Sequence, residues 1–545
     1  MDCVITIILA GMKKLLVVFG LFTILMSCQS VKKYNEQITK PHSIADLHSD
    51  IDNLYAQFKR HHPRLYQYTP KTVLDSKFDS LKRAINKPMD SRTFYKQLAP
   101  VVAQVKQGHV SVGSVLKRFT KKERKQLKKK TPEFYDLDFE FLEDKLWVKA
   151  YRGKDSTLVG AEVVTINNEP ALDLIALYKT RFSSDGFNKT FYNNLVSRGF
   201  LAFYQRDKGF IDSLNIAFKR KDSLFSKTFK RKDKSEDKPK GEKLNDTVSK
   251  EKVKPKKLTK DDKIRNRIAK KKKRKDDKTY GFIPKTKTYT RNFNFIGKDS
   301  SVAFMKIRGF GNRGYKPFYK ESFKKLDSAK TKHLILDLRD NLGGRISEID
   351  YLYSYLTEED YVFLDPIEVN TRFTLANSLL SNGNPTYSKV IGVLSLVEPI
   401  TFVSEYLRTK KVNDTLFYKM KYNRSRKPKP LNYKGKMYVL TNGNSFSASS
   451  LISTHLKANN RAVFVGEETG GAYNGCVAGF YRILKLPNSK LRIRMGLMQL
   501  ETTHKQTPDG FGVVPDVEVV PTVKYRQSDR DTELEWILND IYKDE

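Results

Sequence analysis

Residues 437–456 read MYVLTNGNSFSASSLISTHL. Met437 to Thr441 form a short, strongly apolar strand, and Asn442-Gly443-Asn444 breaks it. A helix is expected from about Ser445 to Ala458, with Ser445, Ser447, Ser449 and Ser450 gathered at its start. A hydroxyl at such a corner is exposed, and the free peptide N–H groups and dipole of the helix N-terminus favour an oxyanion beside it. The same spacing suits one serine capping the helix while the others face solvent. Spacing alone does not separate the two.

Working outward, Val302–Ile307, Leu334–Leu338 and Val463–Gly466 read as further strands, and Phe318 to Leu326 as a helix. Strand–helix alternation predicts an α/β core, a sheet covered by helices, over residues 296–525. Residues 526–545 form a terminal helix with Leu534, Ile537 and Ile541 on one face. Upstream, apolar spacings of three and four (Ile44, Leu47, Ile51, Leu54; Phe78, Leu81, Ile85; Phe94, Leu98, Val101) predict an N-terminal helical region over 44–114, ending at Gly108-His109. Residues 115–295 alternate like strands at Phe139-Glu140-Phe141 and Leu146-Trp147-Val148. Within them, Gly160 to Glu169 resembles the strand-and-turn segment of PDZ domains, which bind peptide ends by strand addition. Asn168 stands where glycine is usual there, and asparagine tolerates the same left-handed turn.

Of the 545 residues 39% are hydrophobic, enough for a large core, and wholesale disorder is excluded. The net charge of +41 concerns partners and surfaces rather than fold. Residues 219–278 alone hold 27 Lys/Arg against 11 Asp/Glu, including KKKKRK at 270–275. This stretch is expected to be a solvated, disordered insertion. The sharper alternative is a tether to anionic lipid headgroups or nucleic acid. No zinc-finger spacing or RNA-binding aromatic signature accompanies it, so nucleic acid is the weaker option.

Met12-Lys13-Lys14, an apolar run from Leu15 to Met26 and then Ser27-Cys28 read as a secretory signal over residues 1–28, started at Met12. Residues 29–43 follow as a linker. Leu25-Met26-Ser27-Cys28 resembles the bacterial lipobox. That resemblance implies lipidation of Cys28 and a lipid-anchored protein of the bacterial cell envelope. Cys476 is then the one cysteine of the mature chain, so an intramolecular disulfide is excluded. Lying in a glycine-rich segment with no histidine near it in sequence, Cys476 is expected to be an incidental thiol, and no metal site is expected.

Four segments occur in the order seen in S41 peptidases, the C-terminal processing and tricorn-type serine proteases. They are Gln107-Gly108-His109; DLRDNLGG at 337–344; NSFSASS at 444–450 with GEETGG at 466–471; and GFGVVPD at 510–516. The resemblance covers most of the chain from about residue 44. It implies a ClpP/crotonase-like protease core carrying an N-terminal helical region and a PDZ-like β domain. By position it implies Ser447 as the nucleophile, with the N–H groups of Ala448 and of one glycine of Gly343-Gly344, Gly344 being favoured, forming the oxyanion hole. Many members activate the serine with a lysine after the GExTxG segment. Here Ala472 stands in that place, and no lysine occurs between Arg461 and Lys485. The tricorn-type pattern instead implies His109 as base and Asp509 as its carboxylate; His504, near Asp509 in sequence, is the runner-up base. Asp337 and Arg339 are expected to pair structurally. Gln107, Val110 and Ser450 depart from the residues usual around the motifs.

The implied reaction is peptide-bond hydrolysis through an acyl-enzyme, without cofactor or metal, on envelope or extracellular polypeptides. The alternative is an inactive scaffold holding peptides or lipophilic ligands.

Overall fold

The strand patterns of the α/β core divide cleanly between two faces. Leu334, Leu336, Met437 and Val439 are fully or almost fully buried in one cluster with Phe318, Phe323, Ile349, Leu352, Leu451 and Ile452 of the covering helices. Their neighbours Ile335, Tyr438 and Leu440 point the other way, into a second cluster with Ile537 and Ile541. This period of two, apolar on both faces, is what a parallel sheet covered on both sides demands.

The computed structural model describes residues 30–543, apart from 154, 234–258, 285, 298, 312, 398 and 529. The expected signal, with Cys28, lies outside the described residues. The central sheet has the order Arg291–Ile296, Val302–Ile307, His333–Asp337, Lys436–Thr441, Val463–Gly466 and Val517–Glu518. The first strand is antiparallel to the second, and all later neighbours are parallel. Register places Asp337 beside Leu440 and Thr441 beside Gly466. Both motif-bearing loops therefore leave the same end of the sheet, where ligand sites of open α/β sheets lie.

The N-terminal helices Ile44–His61, Lys71–Ala84 and Ser91–Ala103 bury Leu47, Leu54, Phe58, Phe94 and Leu98 in the same cluster as the central sheet. Asp90 caps the third by accepting from the Thr93 N–H at 2.7 Å. An antiparallel sheet joins Ser111–Gly113, just after His109, to Arg492–Glu501, and Gly475–Lys485 pairs with the latter strand.

The middle of the chain has its own sheet, ordered Leu137–Leu142, Lys145–Tyr151, Glu162–Ile166, Leu214–Arg220 and Ser223–Phe229, and its own core. Asn167 and Asn168 take φ of 47° and 67° in the hairpin after Glu162–Ile166, as the turn reading requires. The basic stretch differs from expectation at both ends. Residues up to Phe229 complete this sheet, and Lys260–Asp276 is a helix with no buried residue. Its capping box, Thr259 with Asp262, and its many Lys and Arg explain how a segment without apolar content is helical. Among the described residues no single helix is long and apolar enough to cross a membrane.

Arg339 fastens the C-terminal helix to the sheet. Its guanidinium donates to the buried Asp337 carboxylate (Nη2 to Oδ2, 2.8 Å) and to Asp531 at 2.7 Å, where Asp531 caps Thr532–Ile541. Lys306 also donates to Asp337 at 2.6 Å. These cations hold the Asp337 carboxyl far below the usual carboxylate range despite its burial. Replacing Arg339 by alanine removes the main partner of a buried charge, a loss of about 3–5 kcal/mol. The expected outcome is a lower urea midpoint with an early change in the emission of Trp536, which lies on that helix; an unchanged midpoint contradicts the assignment.

Candidate active site

Of the four clustered serines, three spend their hydroxyls on backbone carbonyls. Ser445 donates to the Leu338 carbonyl at 2.8 Å, Ser449 to Asn341 at 2.8 Å and Ser450 to Ser445 at 3.0 Å. Ser447 instead has its Oγ 3.0 Å from Nε2 of His109. It stands at the N-cap of the helix Ala448–Ala458, at φ 58° and ψ −118°, with no side-chain capping bond. The helix therefore starts three residues later than expected, because Asn444 to Phe446 belong to the turn that presents Ser447. The strained, left-handed corner aims the hydroxyl away from the helix it precedes.

The loop after the central strand His333–Asp337 locks onto this corner. The Asp340 N–H donates to Asn442 Oδ1 at 2.9 Å, and Asn444 Nδ2 donates to the Asp340 carboxylate at 2.9 Å. Gly343 lies so close that a Cβ there would stand 2.8 Å from Ser447 Cβ and 2.8 Å from the Ala448 nitrogen. Its N–H is taken by Asn341 Oδ1 at 2.9 Å. The next residue, Gly344, is pinned from both sides, since Phe310 N–H donates to the Gly343 carbonyl and Arg345 N–H to the Phe310 carbonyl.

His109 is 5% exposed. Its ring stacks on Phe446 at 4.9 Å, and Phe446 stacks in turn on Phe191 of the middle domain at 4.5 Å. Gly108 is required by this packing, because a Cβ would lie 2.6 Å from the Phe446 ring. Burial pushes the imidazole pKa down to about 3, and Arg494 adds to the effect, so the ring is neutral and able to accept a proton.

The carboxylate nearest the imidazole is not that of Asp509. Asp185, fully buried, places Oδ1 4.0 Å from Nδ1 of His109 and accepts the Gly108 N–H at 2.7 Å. Asp509 accepts from its own neighbour Gly510 at 2.6 Å and from Gln67 Nε2 at 2.8 Å, and Gln67 accepts from Gln107 at 3.0 Å. Asp509 thus reaches the turn before His109 through two side-chain amides, and no bond to the imidazole is present among the described residues. The turn holding Asp185 docks on both neighbours: Gly186 N–H donates to the Lys106 carbonyl and Phe187 N–H to the Gly510 carbonyl. In the sequence Asp185-Gly186 reads as an ordinary turn, and no motif marks it.

Cys476 also lies at this site. It has no histidine near it in sequence, but His109, Asp185 and Cys476 are all buried, with one ligand-type atom from each within 4.8 Å of the others. The strand Gly475–Lys485 carries it under the site, and the Ser447 hydroxyl is its polar neighbour. His504 lies elsewhere, 3.3 Å from Asn459, and His455 contacts the Phe363 carbonyl at 2.8 Å.

Burial acts oppositely on the charges of His109 and Asp185. It pushes the Asp185 carboxyl up to about 7, with the Asp509 charge adding to it and N–H groups of Gly108 and Ala472 opposing. Both groups therefore prefer to be neutral. A raised carboxyl costs stability as pH rises from about 4 to about 7; a depressed histidine costs stability as pH falls from about 6.5 to about 3. Relative to the wild type, Asp185→Asn should gain up to about 4 kcal/mol between pH 4 and 7. Urea titrations across that range measure it, and a difference independent of pH contradicts the buried, proton-holding carboxyl.

Residues 301–519 match the sequence model of peptidase family S41. That span includes Gly344, Ser447, Ala448, Cys476 and Asp509, whereas His109 and Asp185 lie before it. No curated protein sequence matches the chain. Among solved structures, mature CPAF in complex with lactacystin is similar at a TM-score of 0.57 and 14% identity, over 91% of this chain and 97% of that one. Mature CPAF alone gives 0.56 and 14%, over 89% and 94%. The photosystem II D1 C-terminal processing protease gives 0.40 and 11%, over 87% and 93%. The CPAF likeness spans the N-terminal helices and the middle sheet as well as the matched segment, so the shared fold extends over nearly the whole chain.

Proposed function

We propose that this chain, whose residues 301–519 match the model of peptidase family S41, is a serine endopeptidase in which His109 activates Ser447. The observation that carries this reading is the 3.0 Å separation of Ser447 Oγ and His109 Nε2 between residues 338 positions apart. A scaffold that merely held ligands would have no need of a strained serine aimed at a neutral, buried imidazole.

The hydrolysis then runs as follows. Ser447 Oγ attacks the peptide carbonyl while His109 Nε2 takes its proton. The developing oxyanion is met by the N–H groups of Ala448 and Gly344. The Gly344 choice is supported by the Gly343 N–H being engaged with Asn341. His109 returns its proton to the leaving amine, leaving an acyl group on Ser447, and water activated by the same imidazole releases it. The imidazolium that forms is faced by Asp185, whose 4.0 Å separation needs to close by about 1 Å for a hydrogen bond. Asp509 serves as a positioning residue, through Gln67 and Gln107, for the turn that carries His109.

We place substrates among envelope or extracellular polypeptides, with the PDZ-like middle domain positioning an extended peptide by strand addition. The reading of a lipid-anchored envelope protein rests on the Met12–Cys28 segment. The solvated helix Lys260–Asp276 supplies a further attraction to anionic surfaces.

A fluorophosphonate probe should label the wild type and leave Ser447→Ala and His109→Ala unlabelled, with thermal stability of the serine variant unchanged; labelling of Ser447→Ala at wild-type yield contradicts the nucleophile. Separately, Cys28→Ala expressed with its signal should move from the membrane to the soluble fraction, and continued membrane retention contradicts the anchor.

A further inference from the structure

His109, Asp185 and Cys476 bring together an imidazole nitrogen, a carboxylate oxygen and a thiol sulfur, all within 4.8 Å of one another. Tetrahedral zinc, with bonds of roughly 2.0–2.3 Å, separates such ligands by about 3.3–3.7 Å, so closure by about 1 Å would complete three corners. The three residues are 5%, 0% and 4% exposed. Two of their polar atoms, Nδ1 of His109 and Oδ2 of Asp185, have no partner of hydrogen-bond geometry. Leaving a buried polar atom unmet costs about 1–3 kcal/mol each, and a cation between them would satisfy both once the ring proton sits on Nε2. Two of the ligands stand on turns, at Gly108-His109 and Asp185-Gly186, where small movements are accommodated, while Cys476 is fixed by strand pairing with Leu500.

We propose that these three side chains form a binding site for a thiophilic divalent cation of the zinc class, and that its occupation switches the peptidase off. A nitrogen, oxygen and sulfur set selects zinc or cobalt over magnesium or calcium, which take oxygen alone. On binding, the protons of the Cys476 thiol and of the Asp185 carboxyl leave to solvent, and the sulfur and a carboxylate oxygen become ligands. The cation takes the Nδ1 lone pair of His109, which leaves the ring proton on Nε2. That is the nitrogen facing Ser447 Oγ, and with its proton in place it cannot accept another. Asp185 is simultaneously withdrawn from stabilising an imidazolium. The binding half of this inference stands on the geometry; the inhibitory half rests on the serine peptidase reading.

The test uses the untagged full chain with Co²⁺ as spectroscopic probe. One equivalent should produce a thiolate-to-cobalt charge-transfer band in the near ultraviolet, bleached by equimolar Zn²⁺. Cys476→Ser should lose the band, and Asp185→Asn should weaken cobalt affinity by roughly tenfold to a hundredfold. Ser447→Ala, which keeps all three ligands, should retain the band although it lacks turnover, so metal binding is read independently of peptidase activity. In the wild type, Zn²⁺ should abolish fluorophosphonate labelling and a chelator should restore it. Absence of the band in both wild type and Ser447→Ala overturns the site, as does a band that survives Cys476→Ser. Full labelling with zinc bound overturns the switch alone.

Discussion

Ser447 is held in a backbone conformation that an L-residue avoids, at a cost of about 1–3 kcal/mol, and much of the surrounding structure maintains it. The residue before it, Phe446, is buried in the core of the middle domain against Phe191, while the residue after it begins a helix buried against the central sheet. The corner is thus clamped between two cores. The hydrogen bonds of Ser445, Ser449 and Ser450 and the Asp340–Asn442–Asn444 lock remove the local alternatives. Relaxing the corner would cost more in packing than the strain it would relieve.

The same aromatic ring fixes the imidazole of His109. Phe446 lies against His109, which is why the preceding residue has no side chain and why the imidazole is dry. Dryness has two consequences. It keeps the ring neutral, the form a general base requires, and it leaves the facing Asp185 reluctant to ionise.

The basic stretch carries a different lesson. Among the described residues of 219–278, Phe229 joins the middle core while Lys260–Asp276 buries nothing. Lack of a core does not preclude local order, however. A strand can be completed by an existing sheet, as Ser223–Phe229 is, and Lys- and Arg-rich residues with a good cap form a solvated helix. Both are decided by neighbours or capping that a charge count does not register.

By itself the sequence determined the α/β alternation, the helical start, and the serine and histidine that meet. Each rests on local periodicity or on a motif whose residues are contiguous. Tertiary structure decided which serine of the cluster is free, since that depends on carbonyls at Leu338 and Asn341 more than a hundred positions away. It also decided which carboxylate faces the imidazole. Asp509 had the motif, but its side chain closes on Gly510 and Gln67, while Asp185, in an unremarkable Asp-Gly turn, is carried to Nδ1 by the docking of Gly186 on Lys106 and of Phe187 on Gly510. Cys476 was legible only as a lone thiol, because the pairing of its strand with Arg492–Glu501, and not any neighbour in sequence, sets it beside His109. Contacts between distant segments obey packing and hydrogen-bond satisfaction in three dimensions, and one-dimensional spacing holds no record of them.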